Sequence, residues 1–139
     1  MQIVAGLDKD RRGESGESMF KPIYVQNSRL PGILSLFAPV RLWSFTVPPF
    51  IFCEEILDDA TIQHEMIHMR QWLELCIVGF IILYPALWAL NVLRGMNKYE
   101  AYFHNPMEHE ACINENNAEY LLSRPLWAWI QYLGGKKNG

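Results

Sequence analysis

Polar and apolar positions divide this chain into blocks of different character. Asp8 to Ser18 is charged or small and has no period, which predicts a disordered N-terminal segment over about residues 1–20. No apolar stretch follows its basic residues, so it does not read as a secretory signal. A second methionine, Met19, stands just before the first residues with a structural pattern and is a candidate start. Residues 21–139 then read as one domain. Ile23-Tyr24-Val25 is a candidate short strand. Arg29 to Arg41 is punctuated by Pro31-Gly32 and Pro39 and is turn-rich. Ser44 to Cys53 is rich in β-branched and aromatic residues but interrupted by Pro48-Pro49. Two short strands are predicted, Phe45 to Val47 and Phe50 to Cys53. At least one lies on an edge, because proline cannot donate to a ladder.

From Asp58 the pattern changes to helix. Asp58-Asp59 can cap an N-terminus, and no breaker intervenes through His68 to Glu74. Leu75 to Leu93 follows with no charged residue, bounded by Glu74 and Arg94. As one helix these nineteen residues span about 28 Å, close to the roughly 30 Å of a bilayer core. The run therefore meets the length rule for a transmembrane helix. Pro85 either sits within such a helix or breaks it into a hairpin, and the rival arrangement is a pair of buried core helices meeting near Pro85. The tail Pro125 to Leu133 is aromatic and precedes Gly134-Gly135-Lys136-Lys137. Trp and Tyr beside Lys suit a membrane interface. The alternative is a tail packed across the domain.

Composition narrows the classes. The chain has 139 residues, enough for one domain with a core but not two. Only 19% of it is charged against a usual share of about 25%, so it leans apolar. The net charge is −3, and the adjacent basic pairs Arg11-Arg12 and Lys136-Lys137 stand at opposite ends. Nothing forms the basic cluster a nucleic-acid-binding surface needs. Three cysteines, Cys53, Cys76 and Cys112, form no close-spaced pair, which argues against a disulfide scaffold.

The chemistry is concentrated in His64-Glu65-Met66-Ile67-His68. Residues four apart share a helix face, so both imidazoles can point at one metal ion. Glu65 lies one position round the helix, where it can act as a base on a water at that ion. This is the core of a zinc hydrolase. Zinc ordinarily takes a third protein ligand. Asn105-Pro106 is a good helix start, with a capping residue followed by a proline in the first turn. The helix it opens carries Glu108 and Glu110. These lie about 200° apart, so only one of them can face the metal.

The pairing of His-Glu-x-x-His with a later Glu-x-x-Ala helix resembles the gluzincin peptidases, including the integral-membrane zinc peptidases of that clan. The resemblance implies Glu108, three residues before Ala111, as the third zinc ligand. Glu110 becomes the ligand if the register is shifted, with Asn114 then in support. The membrane peptidases often carry Asp after that Ala, where this chain has Cys112. More closely, Phe45 to Leu133 resembles small uncharacterised bacterial membrane-associated proteins. The matching pieces are His68-Met69-Arg70-Gln71, the apolar helix, Glu108-His109-Glu110-Ala111, Asn114-Glu115 and the tail Trp127 to Leu133.

These readings combine into one expectation. The fold is mainly α, a minimal zincin-like α+β core with a zinc-binding helix pair, a long apolar helix or helical hairpin and a small β element. The function is a zinc-dependent metallopeptidase that hydrolyses peptide bonds at or near a membrane, the bacterial inner membrane by resemblance, with a soluble cytoplasmic protein as the alternative. His64, His68 and Glu108 hold Zn²⁺ and Glu65 is the base. Tyr102 and His104, just upstream of Glu108, are candidate donors to the developing oxyanion. An edge strand beside the zinc helix binds extended substrate, by resemblance, or merely packs. The expected partners are a peptide or protein substrate and membrane lipid, with no nucleic acid. The second expectation is a non-catalytic membrane protein whose metal staples two helices, with His109 or Cys112 as a fourth ligand.

Overall fold

A computed structural model describes residues 1–5 and 21–134 of the chain. Four short strands form one sheet: β1 (Gln2–Ala5), β2 (Ile23–Gln26), β3 (Ser44–Val47) and β4 (Phe50–Cys53), in the order β1-β2-β4-β3. β1 runs antiparallel to β2, β2 parallel to β4, and β3 antiparallel to β4. β3 is therefore an edge strand. The two strands flanking Pro48-Pro49 fall within a residue of the sequence expectation. Gln2–Ala5 correct it, because they are ordered as a strand rather than continuing the irregular N-terminal segment. Residues 6–20, including the candidate start Met19, lie outside the described residues.

The described residues also form six helices: α1 (Leu30–Leu34), α2 (Asp59–Glu74), α3 (Val78–Leu93), α4 (Lys98–Phe103), α5 (Pro106–Asn114) and α6 (Tyr120–Ser123), followed by a 3-10 turn at Ala128–Tyr132. The class is mainly helical, α+β, with a small sheet. The turn-rich segment after Arg29 contains α1, which opens with Pro31 in its first turn, where a missing N–H costs nothing. α2 starts where its cap predicts, with Asp58 accepting a 2.8 Å bond from the Thr61 N–H. Asn105 caps α5 through the Met107 N–H, and its side-chain amide reaches the Tyr84 carbonyl at 2.9 Å, tying α5 to α3.

Two apolar clusters hold these parts. Met69 of α2 packs on Tyr24 and Ile51 of the sheet. Trp72, Phe80, Met107 and Trp129 join α2, α3, α5 and the C-terminal turn. The tail is thus packed across the domain at Ala128 and Trp129, while Leu126, Trp127, Ile130 and Leu133 face outward.

The apolar run is not one helix. α2 ends at Glu74 with Leu75 as its cap, Cys76 and Ile77 take left-handed φ values of 51° and 58°, and α3 leaves at 113° to α2. Pro85 lies inside α3 without ending it, so neither a single span nor a hairpin at Pro85 describes the segment. α3 has 16 residues, about 24 Å of helix, short of a bilayer core of roughly 30 Å. Among the described residues no single helix is long and apolar enough to cross a membrane.

The break has a packing cause. It turns α3 back so that Phe80 stacks on Trp72, centroids 4.3 Å apart. Left-handed backbone at a β-branched residue costs on the order of 1–3 kcal/mol. Burying a phenylalanine side chain contributes about 1.5–3 kcal/mol. The aromatic pair adds about 0.5–1.5 kcal/mol, and both act against the strain, which falls on Cys76 as well as Ile77. The opposite face of α3 has no such partner: every exposed position from Val78 to Leu93 is apolar, with Ile81, Ile82 and Leu93 more than half exposed.

Candidate metal centre

α2 places His64 and His68 one turn apart, with ring centroids 4.8 Å from each other. α5 brings Glu108 against both. His64 Nε2 and His68 Nε2 stand 3.1 Å apart. Glu108 Oε1 lies 3.0 Å from His64 Nε2, and Glu108 Oε2 lies 3.2 Å from His68 Nε2. Donors about 2.0–2.1 Å from a tetrahedral zinc are about 3.3 Å from each other. The three side chains are therefore spaced as one zinc ligand set. Glu108 is 3% exposed, and no Lys or Arg pairs with it among the described residues. A buried carboxylate facing two imidazole nitrogens needs a proton or a cation between them, and a metal ion fits that donor chemistry.

The tautomers can be deduced from the partners. Gln71 Nε2 donates to the Met107 carbonyl and to Glu110 Oε2, both at 2.9 Å. Its Oε1 must then accept from His68 Nδ1 at 2.8 Å. His68 Nδ1 carries the proton and Nε2 is left to face Glu108. His64 Nδ1 likewise faces a carboxylate, Glu115 Oε2, at 3.0 Å. Each histidine thus has an outer acceptor that fixes its ring and frees Nε2, as metal-binding histidines require.

Electrostatics agree with a strongly coupled group. Burial alone would lower the His64 pKa; the Cys112 and Glu108 hydrogen bonds and the Glu108 and Glu65 charges outweigh it and raise it to about 11. His68 is also raised, because Glu108 outweighs its burial. Burial would raise Glu108, but the two histidines hold it far below the ordinary carboxylate range.

Glu65 is outside the ligand set. It is 4% exposed and points to the sheet edge. Ser44 Oγ donates to Glu65 Oε1, and Thr46 Oγ1 donates to Oε2 at 2.7 Å. Both hydroxyls belong to β3, so the edge strand positions the candidate base.

The second acid of α5 has a different role. Glu110 is fully buried and accepts from Arg124, Tyr120 and Gln71, while Arg124 also pairs with Glu74. It belongs to a structural network, and Glu108 is the acid that faces the histidines. Asn114 bonds the Glu110 carbonyl and the Tyr132 hydroxyl, away from the site.

The centre forms one wall of a cavity of about 510 Å³. Its polar wall includes His64, Glu65, His68, Tyr84, Tyr102 and Glu108. Facing it are apolar groups from three places: Leu34 and Phe37 at the end of α1, Phe45 and Val47 of β3, and Pro85 and Trp88 of α3. Tyr102 lines the cavity, and burial and Glu108 both push its phenol pKa up. His104 does not line it: the ring is exposed and Nδ1–H donates to the Glu100 carbonyl at 2.9 Å. His109 is also elsewhere, against Tyr132 with ring centroids 5.5 Å apart. Cys112 is close, with Sγ 4.0 Å from Glu108 Oε1.

The sequence pointed to His64, Glu65, His68, Glu108, Tyr102 and His104 as the site, and all but His104 line the cavity. It missed Tyr84, whose hydroxyl donates to Glu108 Oε2 at 2.9 Å, and the β3 hydroxyls. Gln71 and Glu115 stood inside the matching pieces of the resemblance, but no local pattern assigns them a role. The chain matches no protein-family model, no curated protein and no solved structure.

Proposed function

We propose that this chain is a zinc-dependent metallopeptidase that cleaves peptides at or near a membrane. The observation that carries the reading is the convergence of His64, His68 and Glu108 on the wall of a cavity, with Glu65 beside them but outside the ligand set. His64 Nε2, His68 Nε2 and the Glu108 carboxylate would hold the metal. Bound there, zinc supplies Lewis acidity toward a carbonyl oxygen and toward water.

The chain's own residues do the rest. Gln71 and Glu115 keep the imidazoles oriented. The Glu65 carboxylate takes the proton of the attacking water and delivers it to the leaving amine. Ser44 and Thr46 hold that carboxylate in place while it does so. The outer edge of β3, which pairs with no strand among the described residues, would offer backbone groups to an extended peptide lying alongside Glu65. Tyr102 has its hydroxyl at the cavity wall and is the better placed of the two candidate oxyanion donors. The outward apolar face of α3 borders this cavity through Pro85 and Trp88 and suits a lipid surface. The membrane contact is then with one face of α3 rather than a span.

A second reading, a non-catalytic protein with a structural metal, is favoured by one observation: Cys112 stands beside Glu108 and His64 as a further donor. Glu65→Gln separates the two. It keeps size and hydrogen bonding but removes the base. Zinc content and fold should match wild type while hydrolysis in a broad peptide screen falls by about 10²-fold or more. Equal hydrolysis in both proteins would refute the role of Glu65, and loss of zinc from the variant would favour the structural reading.

A further inference from the structure

Glu108 and Cys112 of α5 and Glu115, which caps its C-terminus with helical backbone angles, are spaced by four and three residues, so they form one row on a single helix face. That row faces His64 of α2. The imidazole stands between the two acids: Nε2 is 3.0 Å from Glu108 and Nδ1 is 3.0 Å from Glu115. Cys112 lies between those acids in the row, with Sγ 4.0 Å from Glu108 Oε1, and is a free, half-buried thiol. One donor atom each from His64, Cys112 and Glu115 lie within 4.8 Å of one another, as do those of His64, His68 and Glu108.

We propose that the centre has a second metal position, built from His64, Cys112 and Glu115, that competes with the first for His64. The metals it takes are divalent ions with an affinity for thiolate, Zn²⁺ and Cd²⁺ above all. Binding displaces the Cys112 thiol proton to solvent. A neutral imidazole has one lone pair. Ligation through Nδ1, the nitrogen beside Glu115, puts the ring proton on Nε2, which then donates to Glu108 and no longer serves the first position. The two positions therefore exclude each other. On the metallopeptidase reading, filling the second position takes a ligand from the hydrolytic centre and stops turnover, so that thiolate-seeking metals inhibit. The metal-binding claim itself does not depend on that reading.

Cobalt titration of the metal-free full-length chain under reducing, thiol-free conditions tests it, because Co²⁺–thiolate bonds give a charge-transfer band that histidine and carboxylate ligands do not. His68→Ala and, separately, Glu108→Ala disable the first position and leave the second intact. Each should bind one Co²⁺ with a strong thiolate band. Cys112→Ser should bind one Co²⁺ without the band and keep the wild-type response to Glu65→Gln. Glu115→Gln placed on His68→Ala should weaken the banded site by about tenfold or more. His68→Ala with Cys112→Ser should bind none. Circular dichroism confirms folding, and two independent first-position variants guard against one of them failing to fold. The proposal is overturned if both folded first-position variants bind no cobalt, or bind it without the band. It is also overturned if Cys112→Ser abolishes all cobalt binding, which would make Cys112 part of a single closed site. Absence of hydrolysis in every protein with these spectra intact would refute the peptidase reading and leave the second position standing.

Discussion

The two acids of α5 should separate cleanly by substitution, Glu110→Ala costing stability and Glu108→Ala costing metal. Glu110 is fully buried and its carboxylate accepts four hydrogen bonds, two from Arg124, one from Tyr120 and one from Gln71. Breaking a buried ion pair by removing one partner costs about 3–5 kcal/mol. Two features place this case at the lower end. Arg124 keeps its second carboxylate, Glu74, and Gln71 keeps the Met107 carbonyl. The expected loss is about 3 kcal/mol, which for a domain of this size lowers Tm by roughly 10 °C. Urea unfolding of metal-free protein measures it without the contribution of bound metal. Zinc content of the folded Glu110→Ala protein should stay near wild type, because the carboxylate does not face the histidines. Placed on Cys112→Ser, which removes the second position, Glu108→Ala should lose most zinc at the same free-metal concentration. The reasoning is refuted if Glu110→Ala is as stable as wild type but loses zinc while Glu108→Ala with Cys112→Ser keeps it. The α5 register would then be shifted by two residues.

Other expectations follow from the same geometry. Gln71→Ala removes the acceptor that fixes His68 Nδ1 and should weaken zinc affinity by about 10–100-fold with all three ligands still present; unchanged affinity in a competition titration would show that the ring is held by something else. In the metal-free protein His64 is raised to about 11, so at pH 7 it holds a proton that zinc must displace. Uptake should therefore release at least one proton, and apparent affinity should fall by about tenfold for each unit that pH is lowered; calorimetry in buffers of different ionisation heat would expose an absence of proton release. Charging the outward face of α3 with Ile81→Lys and Ile82→Lys should leave the fold and zinc content intact but reduce binding to lipid vesicles. Equal partitioning of wild type and variant would argue against a lipid contact on that face.

Features set by neighbouring residues were legible before any fold was known. Asp58 caps α2 because its carboxylate reaches an N–H three residues on, and Asn105-Pro106 opens α5 for a similarly local reason. The spacing of His64 and His68 puts both on one face of any helix containing them, so the pair was legible before the fold. Glu65, one residue away, was legible as the group beside the two imidazoles rather than in line with them. Helix geometry also allowed only one of Glu108 and Glu110 to face the histidines, since opposite faces of α5 cannot both turn inward.

Only the tertiary structure decided between those acids, because the choice depends on what each face meets: two imidazoles for one, Arg124 and Gln71 for the other. The break at Cys76-Ile77 is equally invisible to local rules. No Gly or Pro stands there, and a β-branched residue in left-handed backbone runs against its own preference. It persists because Phe80 stacks on Trp72 once the chain has turned. Ser44, Thr46, Tyr84 and Glu115 acquire their roles from partners 19 to 51 residues away. Hydrogen bonds over such separations leave no periodic trace in a sequence, since any polar residue at those positions has the same local pattern whether or not a partner waits across the fold.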